Sequence, residues 1–475
     1  MNVHARPPAQ GTTATERLVA FIGDARPDAE VREHAVRAIL DTLAVTFAGR
    51  IEEPVRRLES SLDRAAGAHA VPSLWGNDSY AASDAALLLG IASHILDYDD
   101  VSMLSVCHPS APILSALLCA APPDRISGAD VVDAFVIGTE VLIRLGQAMG
   151  FRHYALGFHA TGTLGAVGAA AASARLLGLD RVQTAHAISI AASMSSGLRK
   201  NFGSMVKSLH VGIAASNGLR ASRLARAGVE GAREAIDGEG FLFAFSGGET
   251  DVWRNTLRLG EPFAIVEPGF EQKRYPCCYM LHRMIQGTLS LVRERGVGLA
   301  DVDTVKVDMP QGGTKPLIHP YPKSGLNALF SAPYAVLASL ADGRIDLGSF
   351  EDEAVLRSEI QARLGDVTVV ESDTPLRPDI SIGDAPVTVM LLLKSGAPIA
   401  RTITASPGSK DDPLTLAQLK AKWVDCLDRG APHLGAEAAA TRFEHGLDMC
   451  GLPRFGDWFA QLRPGGGSLK SAARS

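Results

Sequence analysis

Aromatic residues are scarce in this chain, 6% of 475 positions, whereas glycine alone occurs 47 times and alanine is abundant. So thin an aromatic supply, with so many small residues, favours close-packed helices over β-sandwiches. Positive charge is not in excess: the net charge is −6 and the pI is near 6.1. That excludes the basic face nucleic-acid binding needs, and no basic run interleaved with aromatics occurs. The 6 cysteines (Cys107, Cys119, Cys277, Cys278, Cys426, Cys450) form no C-x-x-C pair. A disulfide framework, a zinc ribbon and a thioredoxin-type motif are therefore excluded. Long apolar runs are absent too. Residues 109–123 and 160–174 are nearly uncharged but broken by proline or glycine, and fall short of the ~20 apolar residues a membrane span needs. The first 16 residues are polar, with no apolar signal core. The expectation is a cytoplasmic protein with neither nucleic acid nor membrane as partner. With 46% hydrophobic and 21% charged residues, a chain of this length implies two domains with ample core.

Periodicity divides the chain. Residues 1–14 read as a disordered N-terminus. From 15 to 48 apolar positions recur at helical spacing, broken at Pro27-Asp28. Further helices are expected over 85–96, 113–121, 129–149, 162–177, 180–196 and 206–227, and no strand is read anywhere in 15–267. From 268 to 405 the pattern changes. Residues 302–309 alternate apolar and polar, as a half-buried strand does. Residues 367–370 read as a strand, and 387–393 with 399–405 as a hairpin. Helices are expected between them at 280–293, 328–340 and 353–363. Residues 406–460 return to helix and rejoin the first domain, and 461–475 is a flexible tail. The fold class is mainly α: a large all-helical domain plus a smaller α+β domain.

One corner concentrates chemistry. His94, Asp97, Asp99 and Asp100 crowd the end of an alanine-rich apolar segment, and His108-Pro109-Ser110 opens the next. Carboxylates with imidazole are common metal ligands, so a metal cluster is one reading. A carboxylate holding a neighbouring histidine or lysine is the other, since a helix C-terminus disfavours bare negative charge. His159 lies in a glycine-flanked turn before a helix start, where backbone N–H groups could also bind an anion. Lys207 and His210 share one face of an otherwise apolar helix. Lys273-Arg274 places two cations beside Tyr275-Pro276-Cys277-Cys278. The adjacent thiols admit a nucleophile or two small buried side chains. Tyr334 follows Pro333 at a helix start, where core packing is the plain alternative.

Together these residues are far more specific than apart. Asp97-Tyr98-Asp99-Asp100 with His108-Pro109-Ser110, Gly157-Phe158-His159 with Thr161-Gly162-Thr163, Lys207-Ser208-Leu209-His210, Tyr275-Pro276-Cys277-Cys278 and Pro333-Tyr334-Ala335 occur in that order. They resemble the MmgE/PrpD family over about residues 15–450. That family includes 2-methylcitrate dehydratases, iminodisuccinate epimerases and cis-aconitate decarboxylases. The resemblance implies a helical domain with a smaller α+β lid, a homodimer, no metal and no organic cofactor, and an active site in the interdomain cleft. It puts the family's active-site positions on Asp97, His108, His159, Lys207, Lys273 and Tyr334. Three departures stand out. Val101 replaces a common threonine, Cys278 stands where the cis-aconitate decarboxylases have histidine, and Ala111-Pro112 replaces the Asp-Asn usual in 2-methylcitrate dehydratases.

The implied chemistry is proton transfer at a carbon next to a carboxylate, on a small di- or tricarboxylate. His108 and His159 would be the acid/base pair, being the residue type that titrates near neutrality. Asp97 would orient an imidazole, and Tyr334 would donate to the developing enolate. Lys207, Lys273 and Arg274 would bind carboxylates, with Ser110, His210 and Cys278 completing the substrate pocket. A dehydratase-like lyase is the leading expectation. An epimerase of an α-substituted dicarboxylate is the alternative, and a decarboxylase or a non-catalytic binding protein of the same fold ranks below both.

Overall fold

The computed structural model describes residues 12–67, 70–249, 253, 257–375 and 382–464. Most of the expected disordered N-terminus and tail lies outside the described residues. Thr13 and Glu16 form a reciprocal capping box that starts α1 (Ala14–Asp24). Asp28 caps α2 (Ala29–Gly49) by accepting from the Val31 amide, so the Pro27-Asp28 break is a helix boundary. After α3 (Glu53–Ser61) comes an antiparallel pair, β1 (Ala70–Pro72) and β2 (Ser79–Ala81). It corrects the expectation of no strand before 267. Strands of three residues are too short for alternation to register.

The first core is built from α4 (Ala82–His94), α5 (Ser110–Ala120), α6 (Gly128–Ala155), α7 (Ala160–Leu176), α8 (Arg181–Ser193), α9 (Val206–Arg226) and α10 (Phe241–Ser246), packed with α1 and α2. Small residues make this packing close. A Cβ added to Gly90 of α4 would lie 2.6 Å from the Gly212 Cα of α9. The two helices therefore touch backbone to backbone, which draws the N-terminal turn of α9 against the C-terminal turn of α4. That contact positions the site.

The second core covers a four-stranded sheet of order β4-β3-β5-β6. After α11 (His282–Arg295) comes β3 (Val302–Met309), then α12 (Gly325–Ala328), α13 (Ala332–Asp342), α14 (Asp352–Val355) and α15 (Ser358–Gln361). β4 (Val367–Glu371) runs parallel to β3, whereas β5 (Val387–Leu393) is antiparallel to β3 and to β6 (Ile399–Ile403). The expected helix over 353–363 is two short pieces. Arg357 between them takes extended backbone (φ −53, ψ 128) while its guanidinium grips Asp342 at 2.7 Å.

The chain then returns. α16 (Leu416–Gly430), α17 (Gly435–Leu447) and α18 (Phe455–Phe459) place Trp423, Phe443 and Trp458 in the first core, all fully buried. A buried phenylalanine such as Phe443 stabilises by about 1.5–3 kcal/mol. Helical turns continue to Leu462, itself fully buried, so order outlasts the expected tail boundary at 461. Among the described residues, no helix is long and apolar enough to cross a membrane.

Candidate active site

The site lies where the two cores meet. α4 ends at His94, and the chain turns sharply through Asp97, whose φ of +49 puts a non-glycine residue in the left-handed region. Val101 then pairs with Glu271 across the seam: each amide donates to the other residue's carbonyl, at 3.0 and 2.8 Å. That bridge carries Lys273 over the turn. Its Nζ, 0% exposed, donates to both the carboxylate and the backbone carbonyl of Asp97, each at 2.6 Å. A second left-handed residue, the β-branched Val106 (φ +50), bends the chain into Cys107-His108. The His108 amide is held by the Thr161 hydroxyl at 3.0 Å.

Lys207 enters from the first turn of α9. Its Nζ lies 3.2 Å from Asp97 Oδ1 and 2.8 Å from His94 Nε2. An ammonium group only donates, so His94 Nε2 accepts and the ring proton sits on Nδ1, facing the Asp99 carboxylate at 2.8 Å. Burial pushes the His94 imidazole down to about 3, consistent with that neutral tautomer. Burial drives Asp97 toward the neutral acid, but Lys207 and Lys273 overcome it and hold the carboxyl well below the usual range. Lys273 is likewise opposed by burial and held above its ordinary value by Asp97 and Asp99. The result is a dry, ionised Lys–Asp–Lys unit.

Two further histidines face this unit. His108 Nδ1 lies 3.3 Å from Asp99 and its Nε2 3.6 Å from Asp97. The His108 ring sits edge-on to that of His94, with centroids 4.4 Å apart. His159 precedes α7, and its Nδ1 lies 3.1 Å from His210 Nδ1. Burial lowers both His108 and His159, the latter strongly and aided by Lys207 nearby, so both imidazoles are neutral. They border a small cavity of about 100 Å³ together with Asp97, Lys207, Lys273 and Cys278. A larger cavity, about 890 Å³, lies elsewhere, beside Trp75 and Arg223. No histidine lines it, so acid/base chemistry points to the smaller one.

His94, Asp97, Asp99 and His108 place four ligand atoms within 4.8 Å of one another, the cluster a metal reading requires. Two ammonium groups already engage those donors: Lys273 and Lys207 on Asp97, and Lys207 on His94. A metal ion would have to displace two buried lysines, so the donor set fits a lysine-neutralised site better than a metal centre.

Of the residues expected from sequence, Asp97, His108, His159, Lys207, Lys273 and Cys278 come together around the cavity. His210 stands one layer behind, against His159. Three do not reach it. Tyr334 is fully buried in the second core, its hydroxyl donating to the Ser349 carbonyl and its ring against Phe350. Arg274 is exposed, at a bend that directly follows the buried Lys273. Ser110 is buried at the start of α5, where its amide (3.2 Å) and hydroxyl donate to Asp100. Burial pushes the Cys278 thiol up to about 11 and Cys277 well above its ordinary value, which removes the thiolate a nucleophile needs. For His94 the sequence offered a metal ligand or a histidine held by a neighbouring carboxylate, and the Asp99 contact is the second of these; sequence reasoning missed Lys315, which lines the mouth. It also missed Lys422 of α16. That ammonium is buried, donates to the carbonyls of Tyr98 (2.9 Å) and Lys273 (3.0 Å), and lies 2.8 Å from Asp41.

The chain resembles known proteins along most of its length. It is 29% identical to human cis-aconitate decarboxylase over 349 residues, covering 71% of this chain and 72% of that one. It is 28% identical to the mouse enzyme of the same name, covering 69% of each. It is 26% identical to the cis-aconitate decarboxylase-like protein oryM of Aspergillus oryzae over 439 residues, 86% of this chain and 89% of that one. Residues 16–253 match the MmgE/PrpD N-terminal domain and residues 275–445 the MmgE/PrpD C-terminal domain. The N-terminal match covers most of the first core, the C-terminal match runs through the second core and on into the returning α16 and α17, and the chain belongs to the MmgE/PrpD family.

Proposed function

We propose that the protein is a lyase that moves a proton at the carbon next to a carboxylate of a small carboxylate substrate, using its own side chains as acid, base and electrophile. The observation that carries this reading is the cavity bordered by two neutral histidines and a buried Lys–Asp–Lys unit. Removing an α-proton builds negative charge on carboxylate oxygens, and preorganised ammonium groups in a dry site stabilise that charge. Lys207 and Lys273 are so placed. One of His108 and His159 takes the proton as base. In a dehydration the imidazolium so formed gives that proton to the departing hydroxide, so that the C–H and C–O bonds break, an alkene forms and water leaves. His210 shares a proton with His159 Nδ1, so a change of charge at His159 can be relayed away from the cavity.

Decarboxylation is the second reading, favoured by the relatives named cis-aconitate decarboxylase. The C–CO2 bond would break, the carbanion would be held by the same lysines, and a histidine first protonated from solvent would give a proton to carbon. Epimerisation would need both histidines and no leaving group. The test is a solvent-exchange NMR screen of carboxylates in deuterated water. Deuterium at the α-carbon with alkene formation marks the dehydratase, CO2 release marks the decarboxylase, and deuterium alone marks the epimerase. His159→Ala and Lys207→Ala should each lower turnover by about 10²-fold or more in a folded protein. Wild-type kinetics in a folded His159→Ala variant would sink the assignment. A homodimer, as the family resemblance implies, is part of the proposal and is read by light scattering.

A further inference from the structure

This inference rests on the proton-transfer reading of the cleft and narrows its substrate. The cavity has two unlike halves. Asp97, His108, His159, Lys207 and Lys273 make a polar floor, whereas Val101, Met103, Phe151, Met280, Phe330 and Ile382 make an apolar wall, beside which Tyr154 and Tyr279 also line the cavity. Lys315 is the one other charged side chain on the lining among the described residues. It is exposed at the mouth, its Nζ 5.7 Å from the centre of the Phe151 ring.

Charge limits what can enter. Lys207, Lys273 and Lys315 face Asp97 on the lining and Asp99 fully buried behind His94 and His108. With the histidines neutral, three ammonium groups against two carboxylates leave one positive charge. A tricarboxylate would bring three negative charges, two of them unmatched beside apolar walls, where an uncompensated charge is strongly disfavoured. A dicarboxylate leaves only one unmatched, and solvent at the mouth can screen it. The stretch made by Val101, Met103, Met280 and Ile382 in turn suits hydrocarbon, because those four side chains offer no hydrogen bond to a third carboxylate or a hydroxyl.

We infer that the substrate is a dicarboxylate bearing a short alkyl arm. One carboxylate sits against Lys207 and Lys273, the other reaches Lys315, and the arm packs on Val101, Met103, Met280 and Ile382. This separates the chain from relatives named for cis-aconitate, a tricarboxylate.

The test titrates the full-length protein with malate, 2-isopropylmalate, 3-isopropylmalate, citrate and cis-aconitate, following affinity by calorimetry and α-proton exchange by NMR. At least one isopropylmalate should bind about tenfold or more tighter than malate, the gain expected from burying three carbons, and tighter than both tricarboxylates. Met103→Lys, which adds a cation to the wall, should raise citrate affinity by about tenfold. A gain from the arm below tenfold overturns the inference, as does a tricarboxylate that binds as tightly as the isopropylmalates, or no binding across the panel. Tight isopropylmalate binding without proton exchange would keep the substrate class and sink the proton-transfer reading. Exchange confined to the tricarboxylates would do the reverse.

Discussion

Asp97→Asn isolates the electrostatic element at the centre of the site. Asparagine keeps the volume and an acceptor oxygen but removes the charge that two buried ammonium groups face, at 2.6 Å from Lys273 and 3.2 Å from Lys207. Asp97 is 3% exposed and Lys273 0%, so water cannot replace the lost partner. Removing one member of a buried ion pair costs about 3–5 kcal/mol, and that loss of unfolding free energy is expected at pH 7. Urea titration reads it as a fall in the transition midpoint at constant slope. The pH dependence follows from Lys273. Asp97 raises its pKa in the folded state, so the stabilisation is fully present below the unfolded lysine value of about 10.4 and lost as the pH rises through the folded value. Wild type should therefore keep this stabilisation up to about pH 10.4 and lose it only above that pH. Adding Lys273→Met to Asp97→Asn removes one of the two stranded charges and should recover about half of the loss. A deficit below about 1 kcal/mol, or strict additivity of the two substitutions, would show that Asp97 does not neutralise these lysines.

Three other outcomes follow from the same contacts. Tyr334→Phe should leave steady-state kinetics within about twofold and lower stability by about 1–2 kcal/mol, since it strips a buried hydrogen bond to Ser349 remote from the cavity; a large loss of turnover would restore its catalytic role. Gly90→Ala pushes a methyl to within 2.6 Å of the Gly212 Cα, so it should destabilise by about 1–3 kcal/mol and raise KM or lower kcat by moving Lys207 from His94. Asp100 and Glu271 are buried carboxyls pushed up to about 8. They retain protons that the unfolded chain has shed, so their contribution to stability should fall from about pH 4 toward pH 8, against the opposite slope below about pH 6.5 from the buried histidines. The wild-type minus Asp100→Asn difference in urea midpoint at pH 5, 6.5 and 8 isolates the Asp100 share and should shrink as the pH rises.

Much of the architecture was legible because it is local. The break at Pro27-Asp28, the alanine-rich α4 and the alternation in β3 each announce an element within a few residues. The β1–β2 pair and the break at Arg357 were not, since the first is too short to alternate and the second depends on Asp342 of α13. The site divides the same way. Asp97 and His108 sit in one corner of the sequence, and motif order brings His159, Lys207 and Lys273 to them. Side-chain direction is another matter: Arg274 beside Lys273, and Tyr334 behind Pro333, match the family's pattern yet point elsewhere. Lys315 carries no local signal, because its loop is fixed from β4, where Glu371 accepts from the amides of Gly312 and Thr314 at 2.9 and 2.8 Å.

The return of the chain to the first core has a consequence at the site. Lys422 comes from α16, about 150 residues beyond Lys273, yet its ammonium holds the backbone carbonyls of Tyr98 and Lys273 at once and lies over the Tyr98 ring, 3.8 Å from its centre. Tyr98 is next to Asp97, so one buried charge clamps the two segments whose side chains form the Lys273–Asp97 pair. Asp41 of α2, fully buried, balances it from below at 2.8 Å. A lysine 4% exposed among such partners cannot slide without stranding a charge, and a displacement of about 1 Å at reacting groups lowers rates by about 10²-fold. The C-terminal helices therefore set the separation across the seam between the cores. That is a physical reason for a chain that could have ended at the sheet to come back.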